Sequence, residues 1–165
     1  MDNLVNQIDA FQNAIGRSIL IENPTNYLPF ASEMDEPDFL VEASKRAGCG
    51  LLIDLNNIWI SANNVGFEPL KYLDALPVER VGEIHIAGHE EDPVLGDALL
   101  IDSHGSPVSE SVWTLLYAAL ERFGPKPVLV ERDANIPPFE DLKHERDRAD
   151  AAILSFRAES HVAAE

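Results

Sequence analysis

The chain reads as an α/β protein in which helices flank a parallel sheet, and three observations lead there. Segments with apolar residues at helical period alternate with short, continuously apolar runs, the pattern of strands buried on both faces. Each of four such runs ends in a side chain able to hold a metal or a proton, at Glu22, Asp54, His85 and Glu131. Ligands and catalytic groups collect at the carboxyl ends of parallel strands, because loops converge there and helix N-termini point inward. Four runs cannot close an eight-stranded barrel, which takes about 250 residues. An open sheet or a partial barrel is therefore expected from 165 residues.

The elements follow in order. Leu4, Val5, Ile8, Phe11 and Ile15 share one helical face, and Gly16 stops that helix. Residues 18–21 form a strand that ends at Glu22-Asn23-Pro24. Asp35-Glu36-Pro37 starts a second helix with acids and a first-turn proline; Phe39, Leu40 and Ala43 face inward, and Gly48 closes it before Leu51-Leu52-Ile53-Asp54. A long loop with Asn63, Asn64 and Gly66 as turn residues, then a short helix near residues 70–73, lead to a third strand over residues 81–86. Residues 99–102 read as a short extended piece. Ser109 caps a helix whose inner side carries Val112, Trp113, Leu115, Leu116 and Leu120, and Gly124-Pro125 leads into a strand ending at Glu131. Pro137-Pro138 introduces a last helix through Leu142, Ala149, Ile153 and Leu154. One domain over residues 1–157 and a disordered polar tail over residues 158–165 are expected.

With 29 acids against 12 lysines and arginines, the formal charge of −17 repels polyanions, so nucleic acid is not expected as a partner. Carboxylates gathered around a cation would account for a few of those charges. The single cysteine, Cys49, excludes an internal disulfide and fits a reducing, cytoplasmic setting. No run approaches the roughly 18 apolar residues that span a bilayer.

The four strand ends carry the chemistry. One polar residue after a strand can simply cap a turn, but four at four strand ends point to a rim of functional groups. Asp102-Ser103-His104 adds a carboxylate and an imidazole at a spacing that, in an extended segment, puts both on one face. Asp54-Leu55-Asn56-Asn57 offers a second pair, because a strand followed by a tight turn can aim positions 54 and 57 at one centre. Oxygen and imidazole donors of this kind suit iron, manganese or zinc. His89, beyond a glycine, is expected to shape the loop or pocket. His144 and His161 lie in polar sequence and are expected to be solvated, and Trp59 and Trp113 to pack the core or its rim.

Five motifs in order carry a family resemblance: Ile21-Glu22-Asn23-Pro24, Asp54-Leu55-Asn56-Asn57, Glu83-Ile84-His85-Ile86-Ala87-Gly88-His89, Ile101-Asp102-Ser103-His104-Gly105 and Leu129-Val130-Glu131-Arg132-Asp133. Over roughly residues 5–155 the chain resembles the DUF692 family, formerly UPF0276, the multinuclear non-heme iron-dependent oxidative enzymes. The resemblance implies a partial TIM-type (β/α) barrel, built from the C-terminal strands and helices of a barrel similar to those of xylose isomerase and endonuclease IV. It implies that Glu22 and Glu131 bridge two metals, that Asp54 and His85 complete one of those positions, and that Asn57, Asp102 and His104 hold a third. Asp133 and Glu83 are candidates to orient the imidazoles from behind. Two further family histidines lie on earlier strands. The first three or so barrel strands are therefore expected to be absent, through a truncated gene product, a misplaced start codon or division of the enzyme into pieces.

The activity implied by the resemblance is oxidation of a cysteine-containing peptide with O₂ by two or three iron ions, the peptide being presented by a small partner protein. No residue is assigned a catalytic role beyond the metal ligands. A zinc- or manganese-dependent hydrolase or isomerase of the same barrel superfamily is the alternative, and a non-catalytic remnant associating through its open barrel edge is another.

Overall fold

The computed structural model describes residues 1–162, with side chains to residue 157; His161 and the whole tail expected over residues 158–165 fall outside the described side chains. Strands β1 (Leu20–Glu22), β2 (Gly50–Asp54), β3 (Val81–Ile86) and β6 (Val128–Val130) form one sheet in the order β1-β2-β3-β6, and every pairing is parallel. The order follows the chain without reversal. That is how strands succeed one another around a (β/α) barrel, whereas a doubly wound sheet reverses direction part-way. The fold is α/β, a partial TIM-type barrel wall.

Side-chain alternation divides this wall into two unlike faces. Leu51, Ile53, Ile84 and Ile86 are each fully buried against α2 (Glu36–Ala47), α4 (Pro69–Ala75), α5 (Glu110–Phe123) and α6 (Phe139–Val162), in a core that includes Leu40, Leu73, Trp113 and Leu116. Burying one such side chain stabilises the fold by about 1.5–3 kcal/mol. The pairings Glu22↔Leu52, Asp54↔His85 and His85↔Leu129 put the polar strand ends on the opposite face. That inner face is open: Leu20 and Leu52 are half-buried and Leu129 is 46% exposed. Leu20 lies flat across it, since a Cβ on Gly50 or Gly82 would come within 2.4 or 2.8 Å of its Cδ2.

Helix α1 (Asp2–Ile15) packs on α2, and both end at left-handed glycines, Gly16 and Gly48, where the sequence predicts a stop. Ser109 accepts a hydrogen bond from the Val112 amide at the start of α5, as its capping position predicts. Arg148 of α6 lies 4.2 Å over the Trp113 ring and grips Glu110 with both terminal nitrogens, closing α6 onto α5. Trp113 is buried and Trp59 half-buried, each packed in the core, while His144 is exposed on α6. Cys49 is buried with Ile8 and Ala47, away from the polar strand ends.

Two segments differ from the sequence expectation. The loop expected after Asp54 is instead α3 (Leu55–Ser61), which begins at once and runs into a π-helical turn, Ala62–Gly66. Asp54 starts it by capping the Asn57 amide, and Leu55, Ile58 and Ile60 bury the helix in the core. The extended piece near residue 100 is β5 (Gly96–Ile101), paired antiparallel with β4 (Glu90–Asp92) in a hairpin outside the parallel sheet. Asn64 pins it: its Nδ2 donates to the Leu100 carbonyl and its Oδ1 accepts from the Leu100 amide, both at 2.9 Å. Asn63 also donates to the Asp97 carbonyl. These asparagines therefore act as hairpin clamps and not only as turn formers.

Candidate metal centre

Register puts Asp54 directly beside His85, while Glu22, opposite Leu52, and Glu131, two residues beyond the Leu129 partner of His85, share the same face at the strand ends. Asn23 continues the ladder past the end of β1 with its side chain. Its Nδ2 donates to the Asp54 carbonyl at 2.9 Å, its Oδ1 accepts from the Asp54 amide at 2.8 Å, and its own carbonyl accepts from Asn57 Nδ2 at 3.0 Å. Asp54 is fully buried; Oδ1 accepts the Asn57 amide at 2.7 Å, and Oδ2 has no hydrogen-bond partner. Burial, with the charges of Glu22 and Glu131 adding to it, raises the Asp54 carboxyl to about 7. Burial likewise raises Glu22.

The two oxygens of Glu131 face different imidazoles, Oε1 at 3.0 Å from His85 Nδ1 and Oε2 at 3.1 Å from His104 Nδ1. His104 Nε2 is 2.7 Å from Asp102 Oδ1. The contact to Asp102 chiefly, against the effect of burial, raises the imidazole to about 9. Burial pushes Asp102 up, but its contacts to His104, Thr25 and Asn56 outweigh this and hold it below the usual carboxylate range. Despite these short distances, His85 Nδ1 and both nitrogens of His104 are buried without a hydrogen bond. Glu83 lies 3.6 Å from His85 Nε2, and Asp133 lies 3.3 Å from His104 Nδ1, the nitrogen that also faces Glu131.

His104 reaches the cluster by a route that its spacing from Asp102 does not predict. Residues 102–104 follow β5 outside any strand, and His104 has φ of 45°, an unusual left-handed backbone for a residue with a side chain. Its segment is held close to the exit of β3, where a Cβ on Gly88 would come within 2.0 Å of the Ser106 carbonyl oxygen. Only glycine allows that approach.

Donor atoms of Glu22, Asp54 and His85 lie within 4.8 Å of one another, as do those of Asp54, His104 and Glu131, so two donor triads share Asp54. No lysine or arginine among the described residues pairs with Glu22, Asp54, Asp102 or Glu131. Asp54 is buried, Asp102 and Glu131 are half-buried and Glu22 is exposed; a carboxylate cluster without a cationic partner calls for a cation, and the unbonded Asp54 Oδ2 and imidazole nitrogens are the atoms that would meet it. Oxygen and imidazole donors fit iron, manganese or zinc. Asn57 stands slightly apart and reaches Asp102 through the Thr25 hydroxyl.

Thr25, Asn23 and Asn56 were not singled out from the sequence, although Asn23 and Asn56 lie within the quoted motifs. Asn56 donates from Nδ2 to Asp102 Oδ1 at 3.2 Å, so its Oδ1 faces His89, whose Nδ1–H donates to it at 2.9 Å. His89 thus lines the site as an oriented imidazole, kept below its ordinary pKa by burial. Among the described residues no helix is long and apolar enough to cross a membrane.

Residues 1–154 match the family model described as RiPP precursor modification enzyme MbnB/TglH/ChrH. A UPF0276 protein of Caulobacter sp. (strain K31) is 53% identical over 150 residues, which is 90% of this chain and 54% of that protein. A UPF0276 protein of Bordetella bronchiseptica is 50% identical over 88% of this chain and 51% of its own length. One of Acaryochloris marina is 46% identical over 95% and 56%. The chain spans about half the length of the curated relatives it matches.

Proposed function

Because the chain belongs to the MbnB/TglH/ChrH family of RiPP precursor modification enzymes, we propose that its strand-end cluster holds iron and that the whole protein oxidises a cysteine-containing peptide with O₂. One observation carries the reading: buried carboxylate and imidazole atoms converge without hydrogen-bond partners and without a compensating lysine or arginine. In this reading Glu22 and Glu131 bridge two ions, Asp54 and His85 complete one of these positions, and Asn57, Asp102 and His104 hold a third. Bound iron would supply the redox chemistry for O₂ activation and an open position for a thiolate.

The protein's own groups prepare the site. Asn23 and the Asn57 amide fix Asp54, leaving Oδ2 free to face a cation. Glu131 spans two imidazoles with its two oxygens, which suits a bridging ligand. Asp54, at about 7, and His104, at about 9, must both give up protons to act as ligands. Loading should therefore improve as pH rises. The remaining two histidines of the family site would come from barrel wall beyond β1. A small partner protein would present the peptide, and the open sheet face would meet another chain or the rest of the barrel.

Anaerobic loading with ferrous ion, desalting and metal analysis test the reading. At least one iron per chain is expected, and well under one would remove the claim of a working centre in this chain. Turnover that persists without O₂ would favour a zinc- or manganese-dependent hydrolase or isomerase instead.

A further inference from the structure

The segment Thr25-Asn26-Tyr27 grips Asp102 from two sides. The Thr25 hydroxyl lies 2.9 Å from Asp102 Oδ2, and the Tyr27 hydroxyl accepts a hydrogen bond from the Asp102 amide at 2.9 Å. Between them, the Asn26 amide donates to Ser61 Oγ at 2.8 Å, which ties the strap to the end of α3. The same Thr25 hydroxyl is 2.6 Å from Asn57 Oδ1. The orientation of that amide is set, because Asn57 Nδ2 is spent on the Asn23 carbonyl.

The protons do not suffice for these contacts. Both neighbours of Thr25 Oγ1 are acceptors, a carboxylate and an amide oxygen, and a hydroxyl carries a single hydrogen. Three oxygens therefore meet with one proton among them, and one close contact is left between lone pairs. Such a contact is relieved by a cation. Asn56 donates to the other carboxylate oxygen of Asp102, so both oxygens are constrained from separate segments. Asn57 lies in α3, Asp102 and His104 lie together in the segment after β5, and the strap joins these two stretches of chain.

We propose that Thr25 is a positioning residue for the third ion, its hydroxyl locking Asn57 and Asp102 into one donor set. This rests on the metal-centre reading above and adds a residue to it. All donors of that position lie within this chain, so it can be tested on the protein as it stands.

The test is ferrous-ion titration of the intact chain under anaerobic conditions, with ions per chain counted by elemental analysis and folding followed by circular dichroism. Thr25→Val and Thr25→Ala should each weaken one class of ion by at least tenfold and leave the rest unchanged. Thr25→Ser should restore the wild-type titration. Asp102→Asn should lose the same ion, and adding Thr25→Val to it should cause no further loss. If either folded variant, Val or Ala, binds as many ions as wild type while Asp102→Asn loses one, the role of Thr25 is overturned and the metal centre stands. A wild-type chain that binds no ion would overturn both.

Discussion

Asp54 shows how a single residue ties stability to function. Its carboxyl is raised to about 7 by burial, whereas in an unfolded chain the same group titrates near 4, so between about pH 4 and pH 7 the folded state keeps a proton that the unfolded state has lost. Its contribution to stability therefore falls as pH rises through that window. His104 adds to the trend at higher pH. With the imidazole raised to about 9, chiefly by Asp102, its contribution is complete below about 6.5 and is lost as pH rises through about 9. Without metal, the melting temperature followed by differential scanning fluorimetry should drop by several degrees between about pH 5 and pH 9. Asp54→Asn should flatten the part below about pH 7; an unchanged slope in that variant would remove Asp54 as its source.

The elements differ in how openly the sequence displays them. β2 is an apolar run closed by Asp54, whereas β3 alternates, with Glu83 and His85 on the open face and Ile84 and Ile86 against the helices, so its limits are less plain in composition. The β4–β5 hairpin is hidden. Glu90-Glu91-Asp92 has no strand character of its own, and its partner β5 is also bonded at Leu100 by Asn64, 36 residues away in sequence. Asn64→Ala removes both side-chain bonds to Leu100, so hydrogen exchange at the Leu100 amide should speed up at least tenfold, with the β3 amides unaffected. Equal protection in the variant would mean that β4 alone holds β5. The helix α3 was hidden for a similar reason: Asp54 and Asn57 advertise ligands, and their capping bond becomes visible only once the backbone turns at the end of β2.

At the scale of the whole molecule the asymmetry of the sheet dominates. One face is buried under helices, and the other leaves Leu20, Leu52 and Leu129 in reach of a neighbour. If that face meets another chain, light scattering should show concentration-dependent association, and Leu129→Glu should reduce it while changing monomer stability by no more than about 0.5 kcal/mol. A monodisperse monomer at every concentration would count against the interface. By itself the sequence determined the alternation of helix and parallel strand, and with it that Glu22, Asp54, His85 and Glu131 end neighbouring strands. Such information is local, since an apolar run and the residue that stops it are contiguous. Tertiary structure alone decided which groups touch: Asn23 bonding Asp54 from 31 positions away, Thr25 meeting Asp102 across 77, and His104 turned inward by a left-handed backbone. Those contacts depend on where distant loops are brought together, which no spacing within one segment encodes.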